Sequence, residues 1–488
     1  MSPKIIAFYL PQFHTIKEND EWWGKGFTEW TNVRKAKPLF KGHDQPRIPA
    51  DLGYYDLRDP EIRERQAQLA REAGVTAFCY WHYWLGNGKR LLESIFDEVL
   101  ASGKPDFPFC LGWANHSWYA KRWSLTDEDR ILIEQTYPGK DDARQHFEFL
   151  LKAFRDPRYL KIDGKPFLFL HIINQVPQEY ITWFKEWTQE AGFPGLFLAG
   201  NASPKQSKEE LKAKGIDAVA HDKVYNHRIY TTRNKSKWQI RKDRIVRHLR
   251  KTFLGIPKFA LDYEKCYPSF VEEEDYDEFY IPELIPQWDN SPRFGLNTKS
   301  LFYNSSPDGF YRHARQLLDI VRQKPENRQI VILKSWNEWG EGNYMEPDQK
   351  FGKGYIMALR KAIEDTKKVP SRRPNPFIRS KSSAHRASPQ HTQQGGQHGD
   401  GELYDFSPVQ VFHHQEFKVK QSVERAVGCG AVAPQKKPSR LPSCYLCFDD
   451  ANIQRLRPVS LDATEISFHL FYKPLTISAS RNENFSLF

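Results

Sequence analysis

The chain has 488 residues and a formal net charge of +11; 39% of its residues are hydrophobic and 14% are aromatic. Six cysteines in so long a chain argue against a disulfide-stapled secreted module. No apolar run reaches the roughly 18 residues of a membrane-spanning helix, and the run at residues 5–10 lacks a signal-peptide pattern. We therefore expect a cytoplasmic protein whose positive charge favours an anionic partner.

Short apolar runs alternate with helix-length segments along the first three quarters of the chain. We predict strands at 5–10, 75–81, 107–113, 166–171, 195–199, 216–220, 282–288 and 330–333. We predict helices at 60–73, 89–102, 141–154, 177–191, 207–214, 307–323 and 354–365. Eight such units predict an α/β fold, a (β/α)8 barrel of the TIM type. An open doubly wound sheet is the alternative, but no Gly-x-Gly-x-x-Gly follows the first strand.

The barrel domain is predicted over residues 1–368, with a strongly basic segment inserted at 228–258. Residues 369–488 change in character, because the run at 380–401 is rich in Ser, His, Gln and Gly. Such composition cannot bury a core, so we predict a disordered tail of unknown function.

Polar and aromatic side chains follow nearly every predicted strand. In a barrel the carboxyl ends of all strands meet at one face, so these residues are predicted to line a shared substrate-binding cleft. Arg293 follows the seventh strand as well. The candidates are His14, Glu29, Trp30, His82, Tyr83, Trp84, Asn115, His116, Trp118, His171, Trp288, Asp289, Asn290, Trp336, Asn337 and Trp339.

Two carboxylates, Glu338 and Glu341, lie just after the eighth strand between tryptophans and glycines. Paired acids among aromatic rings suit a sugar site, where rings stack on indole faces and carboxyls move protons. The alternative is a solvated turn with buried tryptophans. Their position after the last barrel strand favours Glu338 and Glu341 as the catalytic pair.

Several long motifs carry a family resemblance. They include Ala7-Phe-Tyr-Leu-Pro-Gln-Phe-His14, Asn19-Asp-Glu-Trp-Trp-Gly24, Asp51-Leu-Gly-Tyr-Tyr-Asp56 and Trp336-Asn-Glu-Trp-Gly-Glu-Gly342. Over residues 4–367 the chain resembles the WbsX-like family, which is similar to glycoside hydrolase family 99 and occurs in bacterial O-antigen and capsule loci. The resemblance implies a (β/α)8 barrel and a carbohydrate substrate, in a clan that contains endo-acting α-mannosidases.

The resemblance also implies roles for the two acids. Glu338 would act as base on the sugar 2-hydroxyl, which attacks the anomeric carbon, and Glu341 would protonate the leaving oxygen. An acid with that role needs a pKa raised by an apolar wall. One departure concerns His116, because the family often carries Glu after Trp-Ala-Asn.

The predicted function is cleavage or transfer of glycosidic bonds in a bacterial surface polysaccharide. The alternatives are a sugar-nucleotide-dependent glycosyltransferase and a non-catalytic glycan-binding barrel. No cofactor, metal site or nucleic-acid partner is predicted; Asp127-Glu-Asp129, Asp275-Tyr-Asp277 and Cys444-Tyr-Leu-Cys447 are weak metal motifs. The basic segment is either a solvated helix or a peripheral contact with an anionic inner-membrane surface or lipid-linked glycan.

Overall fold

The computed structural model describes residues 3–120, 130–203, 205–224, 235–298 and 300–368, and the backbone of a strand pair, Glu465–Leu470 with Lys473–Ser478. The parallel barrel strands are β1 (Lys4–Tyr9), β2 (Ala77–Trp84), β3 (Phe109–Trp113), β4 (Lys165–Leu170), β5 (Phe197–Asn201), β6 (Ala218–Ala220), β7 (Glu283–Leu284) and β8 (Ile330–Leu333). The main helices are α1 (Pro60–Ala73), α2 (Glu93–Ser102), α3 (Lys140–Phe154), α4 (Gln178–Glu190), α5 (Lys208–Ala213), α6 (Lys237–Leu254), α7 (Pro307–Val321) and α8 (Gly354–Lys368).

The sheet closes on itself. The strands run in the order β6, β5, β4, β3, β2, β1, β8, β7, and Ala7 of β1 pairs with Phe78 on one side and Leu333 on the other. The ring is completed at Val219, which accepts from the Ile281 amide at 2.7 Å and donates to the Phe279 carbonyl at 2.9 Å, just before β7. This confirms the predicted (β/α)8 barrel.

Local signals place the helix ends of α1. Asp59 accepts a hydrogen bond from the Glu61 amide, Pro60 occupies the first turn, and Gly74 follows in the left-handed conformation at φ 85°. Each is a known helix boundary signal, and the predicted span is confirmed residue for residue. The second helix differs: it begins at Glu93 because Arg90–Leu91 pairs with β2 as a short strand.

The interior of the barrel is filled by aromatic side chains. Phe8 of β1 contacts Phe169 of β4 at 5.0 Å between ring centroids and Trp81 of β2 at 4.5 Å. Because β1 and β4 are three strands apart, these rings meet across the barrel axis. Part of the high aromatic content of the chain therefore serves to pack the barrel interior.

The connections at the carboxyl ends of the strands carry the smaller elements. The helices Lys17–Trp23 and Glu29–Lys35 follow β1, and Ser291–Phe294 follows β7. Small strand pairs join Trp118–Tyr119 to Ile131–Ile133, Ala260–Asp262 to Leu301–Tyr303, and Asn337–Glu338 to Asn343–Tyr344. Within the described ranges, no helix is both long and apolar enough to cross a membrane. The predicted tail, including Cys444 and Cys447, lies outside the residues whose side chains are described.

Candidate active site

The segment after β8 folds into a tight hairpin. Asn337–Glu338 pairs antiparallel with Asn343–Tyr344, and a 3-10 turn over Trp339–Glu341 joins them. Gly342 ends the turn in the left-handed conformation, at φ 55°. Glu338 and Glu341 keep 15% and 16% of their side-chain surface exposed, whereas Trp336 and Trp339 are buried. The hairpin therefore presents the two carboxyls and hides the indoles.

Arg293, in the short helix after β7, bridges the pair. Its Nη1 donates to Glu341 Oε1 at 2.6 Å, and its Nη2 donates to Glu338 Oε1 at 3.3 Å. One planar guanidinium thereby holds both carboxyls in fixed relative positions through two separate nitrogens. A Lys ammonium has one nitrogen and could not do this.

Glu29 forms the floor of this cluster. It is fully buried in the helix after β1, and Arg293 Nε donates to its Oε1 at 2.9 Å. The Glu29 carboxyl passes directly over the backbone of Gly340, where a Cβ would lie 1.5 Å from Oε1. A glycine is thus required at position 340 because the Glu29 carboxyl comes so close to the backbone. The carboxyls of Glu29, Glu338 and Glu341 all converge on Arg293.

Burial, and after it the neighbouring charge of Glu341, raise the pKa of Glu338 to about 8, against the opposing charge of Arg293. Burial also raises the pKa of Glu29, against the opposing charge of Arg293. Near neutral pH the cluster therefore holds a proton on Glu338. The resemblance implies Glu341 as proton donor, so the proton would have to move from Glu338 to Glu341 before the reaction.

The predicted tryptophans around the pair are packing residues in this structure. Trp339 stacks on Tyr344 at 3.7 Å, and its Nε1 donates to Glu346 at 2.7 Å. Trp30 Nε1 donates to the Tyr55 carbonyl at 2.8 Å. Trp336 is completely buried, and Trp288 belongs to a second apolar cluster with Tyr263 and Phe302. These indoles support the hairpin and the neighbouring loops from behind.

Four predicted polar residues tie loops together. Asn337 exchanges hydrogen bonds with the backbone of Leu10, at 2.8 and 3.0 Å, and Asn115 does the same with Ile172, at 2.8 and 2.9 Å. Asn290 accepts from Thr298. Asp289 accepts from His43 and Gln45, at 2.9 and 2.6 Å. Burial would raise the pKa of Asp289, but His43 and Arg47 lower it below its ordinary value. These side chains fix the loops that carry the cluster.

His82 and Trp84 point away from the barrel axis. His82 Nε2 lies 3.0 Å from His146 Nε2 on α3, and Trp84 stacks on the same imidazole at 4.7 Å. Burial lowers the pKa of His82 well below its ordinary value, so it is neutral. His14 is also buried, with Nε2 3.1 Å from Ser94 Oγ. No contact described by the structure joins these three residues to the carboxyl cluster.

A second group of predicted residues gathers at the ends of β2, β3 and β4. His116 and His171 are half-buried, with ring centroids 4.9 Å apart. Tyr83 packs on Trp118 at 5.3 Å. Trp81, which was not among the predicted site residues, contacts His171 at 5.3 Å and is also half-buried. Half-buried rings at the mouth of a barrel offer faces on which a sugar can stack.

Two positive side chains at the site were given no role from the sequence. Arg293 is the hub of the cluster, and its only sequence signal was its position after the seventh strand. Lys334 directly follows β8, and its Nζ donates to Asp222 Oδ2 at 2.8 Å and lies 3.8 Å from buried Glu283. Burial lowers the pKa of Lys334, but Asp222 and Glu283 raise it above its ordinary value.

The weak metal motifs are not organised as one site where they are described. Lys223 lies 3.4 Å from Asp275, and Lys208 donates to Asp277 at 2.5 Å. Asp127-Glu-Asp129 lies outside the described residues. Over the described ranges, no group of three or more His, Cys, Asp or Glu side chains could hold a metal ion.

Comparisons with known proteins place the chain in a family. Residues 5–359 match the family described as Glycosyltransferase WbsX. Two proteins called "Uncharacterized protein WxcX", from two strains of Xanthomonas campestris pv. campestris, are 35% identical over 370 residues, covering 74% of this chain. The match spans 49% of each relative, so this chain corresponds to about half their length.

Solved structures of similar shape include a "Glycoside hydrolase-like protein", with TM-score 0.45 and 16% identity over 74% of this chain and 94% of that one. The GH99 endo-alpha-mannosidase from Bacteroides thetaiotaomicron, in complex with BIS-TRIS-propane, aligns with TM-score 0.44 and 13% identity over 75% of this chain and 97% of its own. The family match covers the barrel and both carboxyl-bearing loops. The chain therefore belongs to the WbsX glycosyltransferase family, a family of carbohydrate-active enzymes.

Proposed function

We propose that this barrel cleaves or transfers glycosidic bonds of a bacterial surface polysaccharide, of the O-antigen or capsule type, through acid/base chemistry at Glu338 and Glu341. The single observation that carries the proposal is the Arg293 bridge, which holds two partly exposed carboxyls together at the end of β8. Glycosidic bond cleavage needs one carboxyl that donates a proton and one that accepts. The pair supplies both when it carries a single proton.

The proton inventory supports this chemistry. Glu338, with a pKa of about 8, is protonated near neutral pH, while Glu341 accepts the short hydrogen bond from Arg293. In the order implied by the resemblance, Glu338 takes the proton of the sugar 2-hydroxyl and Glu341 delivers one to the leaving oxygen. Glu338 must first lose its own proton. Transfer of that proton to Glu341 would leave Glu338 ionised as the base and Glu341 protonated as the acid.

The substrate-binding surface is proposed to combine this cluster with the half-buried rings at the ends of β2 to β4. His171 contacts Trp81 on one side, at 5.3 Å between ring centroids, and His116 on the other, at 4.9 Å. An aromatic and imidazole wall at the same end of the barrel as an acid pair can stack and hydrogen-bond a neutral sugar. His116 replaces the acid that the family often carries, so this wall is where we expect specificity to differ.

Transfer from a nucleotide sugar is the second candidate, and the family description favours it. The charges around the pair favour glycan chemistry instead. Three carboxyls, of Glu29, Glu338 and Glu341, share one guanidinium, so the cluster offers little positive charge to a diphosphate.

The deciding experiment is incubation of the full chain with defined α-mannan-type and rhamnan-type oligosaccharides, with and without sugar nucleotides, followed by mass spectrometry. The proposal predicts shortened or rearranged oligosaccharides without any sugar nucleotide. Products that require a sugar nucleotide would assign the second candidate. Binding with no product after long incubation would leave a glycan-binding barrel and contradict both.

A further inference from the structure

The helix α6 displays its apolar side chains to solvent. Trp238 and Phe253 are 69% and 73% exposed, and Ile245 and Leu249 are 55% and 45% exposed. All eighteen residues of α6 are described, and none is buried. At ~100° per residue, these four side chains fall within an arc of about 80°, so they form one stripe along the helix. We call Trp238, Ile245, Leu249 and Phe253 the apolar stripe.

The opposite side of α6 faces the protein. Lys251 Nζ donates to Asn297 Oδ1 at 2.8 Å, and the Arg247 guanidinium lies 5.8 Å from the Phe259 ring. The amphipathic pattern is therefore inverted relative to a helix that packs on a core, where the apolar side turns inward. The basic charge of this segment is evident from the sequence, whereas the exposure of its apolar stripe is a property of the fold.

The charge of α6 indicates what kind of surface the apolar stripe binds. Seven of the eighteen residues of α6 are Lys or Arg, and Asp243 is the one acidic residue. A second copy of this helix would bring two such sets of positive charge together, which is unfavourable. A bilayer rich in anionic lipid complements the charge, and Trp and Phe are favoured side chains at its interface.

The arrangement also favours a flat surface over a groove. Lys242 falls within the arc of the apolar stripe, with its Nζ 5.6 Å from the Trp238 ring. A protein groove would bury that ammonium, whereas at a bilayer its long stem can extend the charge to the headgroups. Because one side of α6 rests on the protein, only the stripe side is available for contact.

From these observations we propose that α6 docks this protein on an anionic bilayer surface, inserting the apolar stripe among the lipids while its basic side chains contact the headgroups. The helix lies near the candidate active site: Asn297 is four residues from Arg293, and Gly255 at its end lies beside the Leu39 carbonyl of the loop after β1. Docking would bring the cleft close to a glycan carried on lipid. The docking claim itself does not depend on which reaction the barrel catalyses.

The test is flotation of the full chain with vesicles of phosphatidylcholine alone and of phosphatidylcholine with phosphatidylglycerol. We expect binding to the anionic vesicles only, weakened by salt. The double variant Trp238→Ala with Phe253→Ala removes two exposed rings. It should reduce the bound fraction by at least about tenfold, since each substitution removes a large apolar area that the bilayer would bury. Lys242→Gln should weaken binding to anionic vesicles as well.

A matched control is Met357→Ala with Arg360→Gln on α8, where an exposed methionine and an exposed arginine lie outside α6. These changes should leave flotation unaltered. Failure of the wild-type chain to float with anionic vesicles at low salt would overturn the proposal. So would unaltered flotation of the ring variant, or a ring variant that dissociates a wild-type dimer in sedimentation without affecting lipid binding.

Discussion

Arg293 and Glu341 form a hydrogen-bonded ion pair of 2.6 Å between side chains carried by two different barrel loops. One loop follows β7 and the other follows β8. The same guanidinium reaches Glu29 from the loop after β1 and Glu338 beside Glu341. A single side chain therefore sets the geometry of a site assembled from three neighbouring strands.

Replacing Arg293 tests that organising role. In Arg293→Lys a single ammonium cannot reach all three carboxyls, so we expect kcat/KM to fall by about 10²-fold and stability to fall by ~3 kcal/mol. Arg312→Lys is the control, because Arg312 pairs with Glu264 and Asp308 at an exposed position. Denaturant unfolding and initial rates measure both effects. Equal behaviour of the two variants would contradict a special role for Arg293.

The raised pKa of Glu338 predicts the alkaline limb of the pH profile. Below about pH 8 the pair retains a proton that can serve the leaving group; above it Glu338 is ionised and that proton is gone. Activity should therefore fall as pH rises through about 8, in kcat/KM, which reports the free enzyme. Circular dichroism over the same range separates this loss from unfolding. An activity that rises through pH 8 would show that the reaction needs the fully ionised pair.

The separate roles of the two acids predict different responses to the leaving group. In an aryl glycoside of an acidic phenol, the phenolate leaves without being protonated. Glu341→Gln should therefore lose far less activity on this substrate than on an oligosaccharide. Glu338→Gln should lose about the same factor, ~10³-fold, on both substrates if it is the base. Initial rates on the two substrates give the comparison. Rescue of Glu338→Gln rather than Glu341→Gln would exchange the roles.

Gly340 predicts a non-additive pair of substitutions. In Gly340→Ala the new Cβ would occupy the position of Glu29 Oε1, so the hairpin must shift and we expect destabilisation of ~2 kcal/mol or more with loss of turnover. Adding Glu29→Ala removes the clashing carboxyl. The double variant should therefore unfold at a higher denaturant concentration than the sum of the single effects implies. Simple additivity would mean that the two residues do not compete for this space.

The sequence was sufficient for the barrel and for the position of the acid pair. Periodicity and capping residues defined α1, and a β-branched run defined β8, because these signals are local. The direction in which the side chains of His82 and Trp84 point could not be predicted from local sequence signals. β2 continues to Trp84, so its side chains alternate, and Trp81 faces the axis while His82 faces α3. A residue counted as loop carries no such alternation.

The roles of Arg293 and Lys334 could not be predicted, for a related reason. Their importance lies in partners 45 to 264 residues away for Arg293 and 112 residues away for Lys334. Only closure of the barrel brings Glu29, Glu338 and Asp222 near them. Likewise, the tryptophans at 336 and 339 could be counted from the sequence, but whether they line a cleft or support it depended on the hairpin that buries them.

Glu338 and Glu341 are proposed to perform the chemistry, and turnover of the single Gln variants is the most direct measurement of that role. Both Glu338→Gln and Glu341→Gln keep the size of the side chain and a hydrogen-bond acceptor for Arg293. We expect each substitution to lower oligosaccharide turnover by about 10³-fold while circular dichroism and the unfolding midpoint stay close to wild type. Near-wild-type turnover in both folded variants would contradict it.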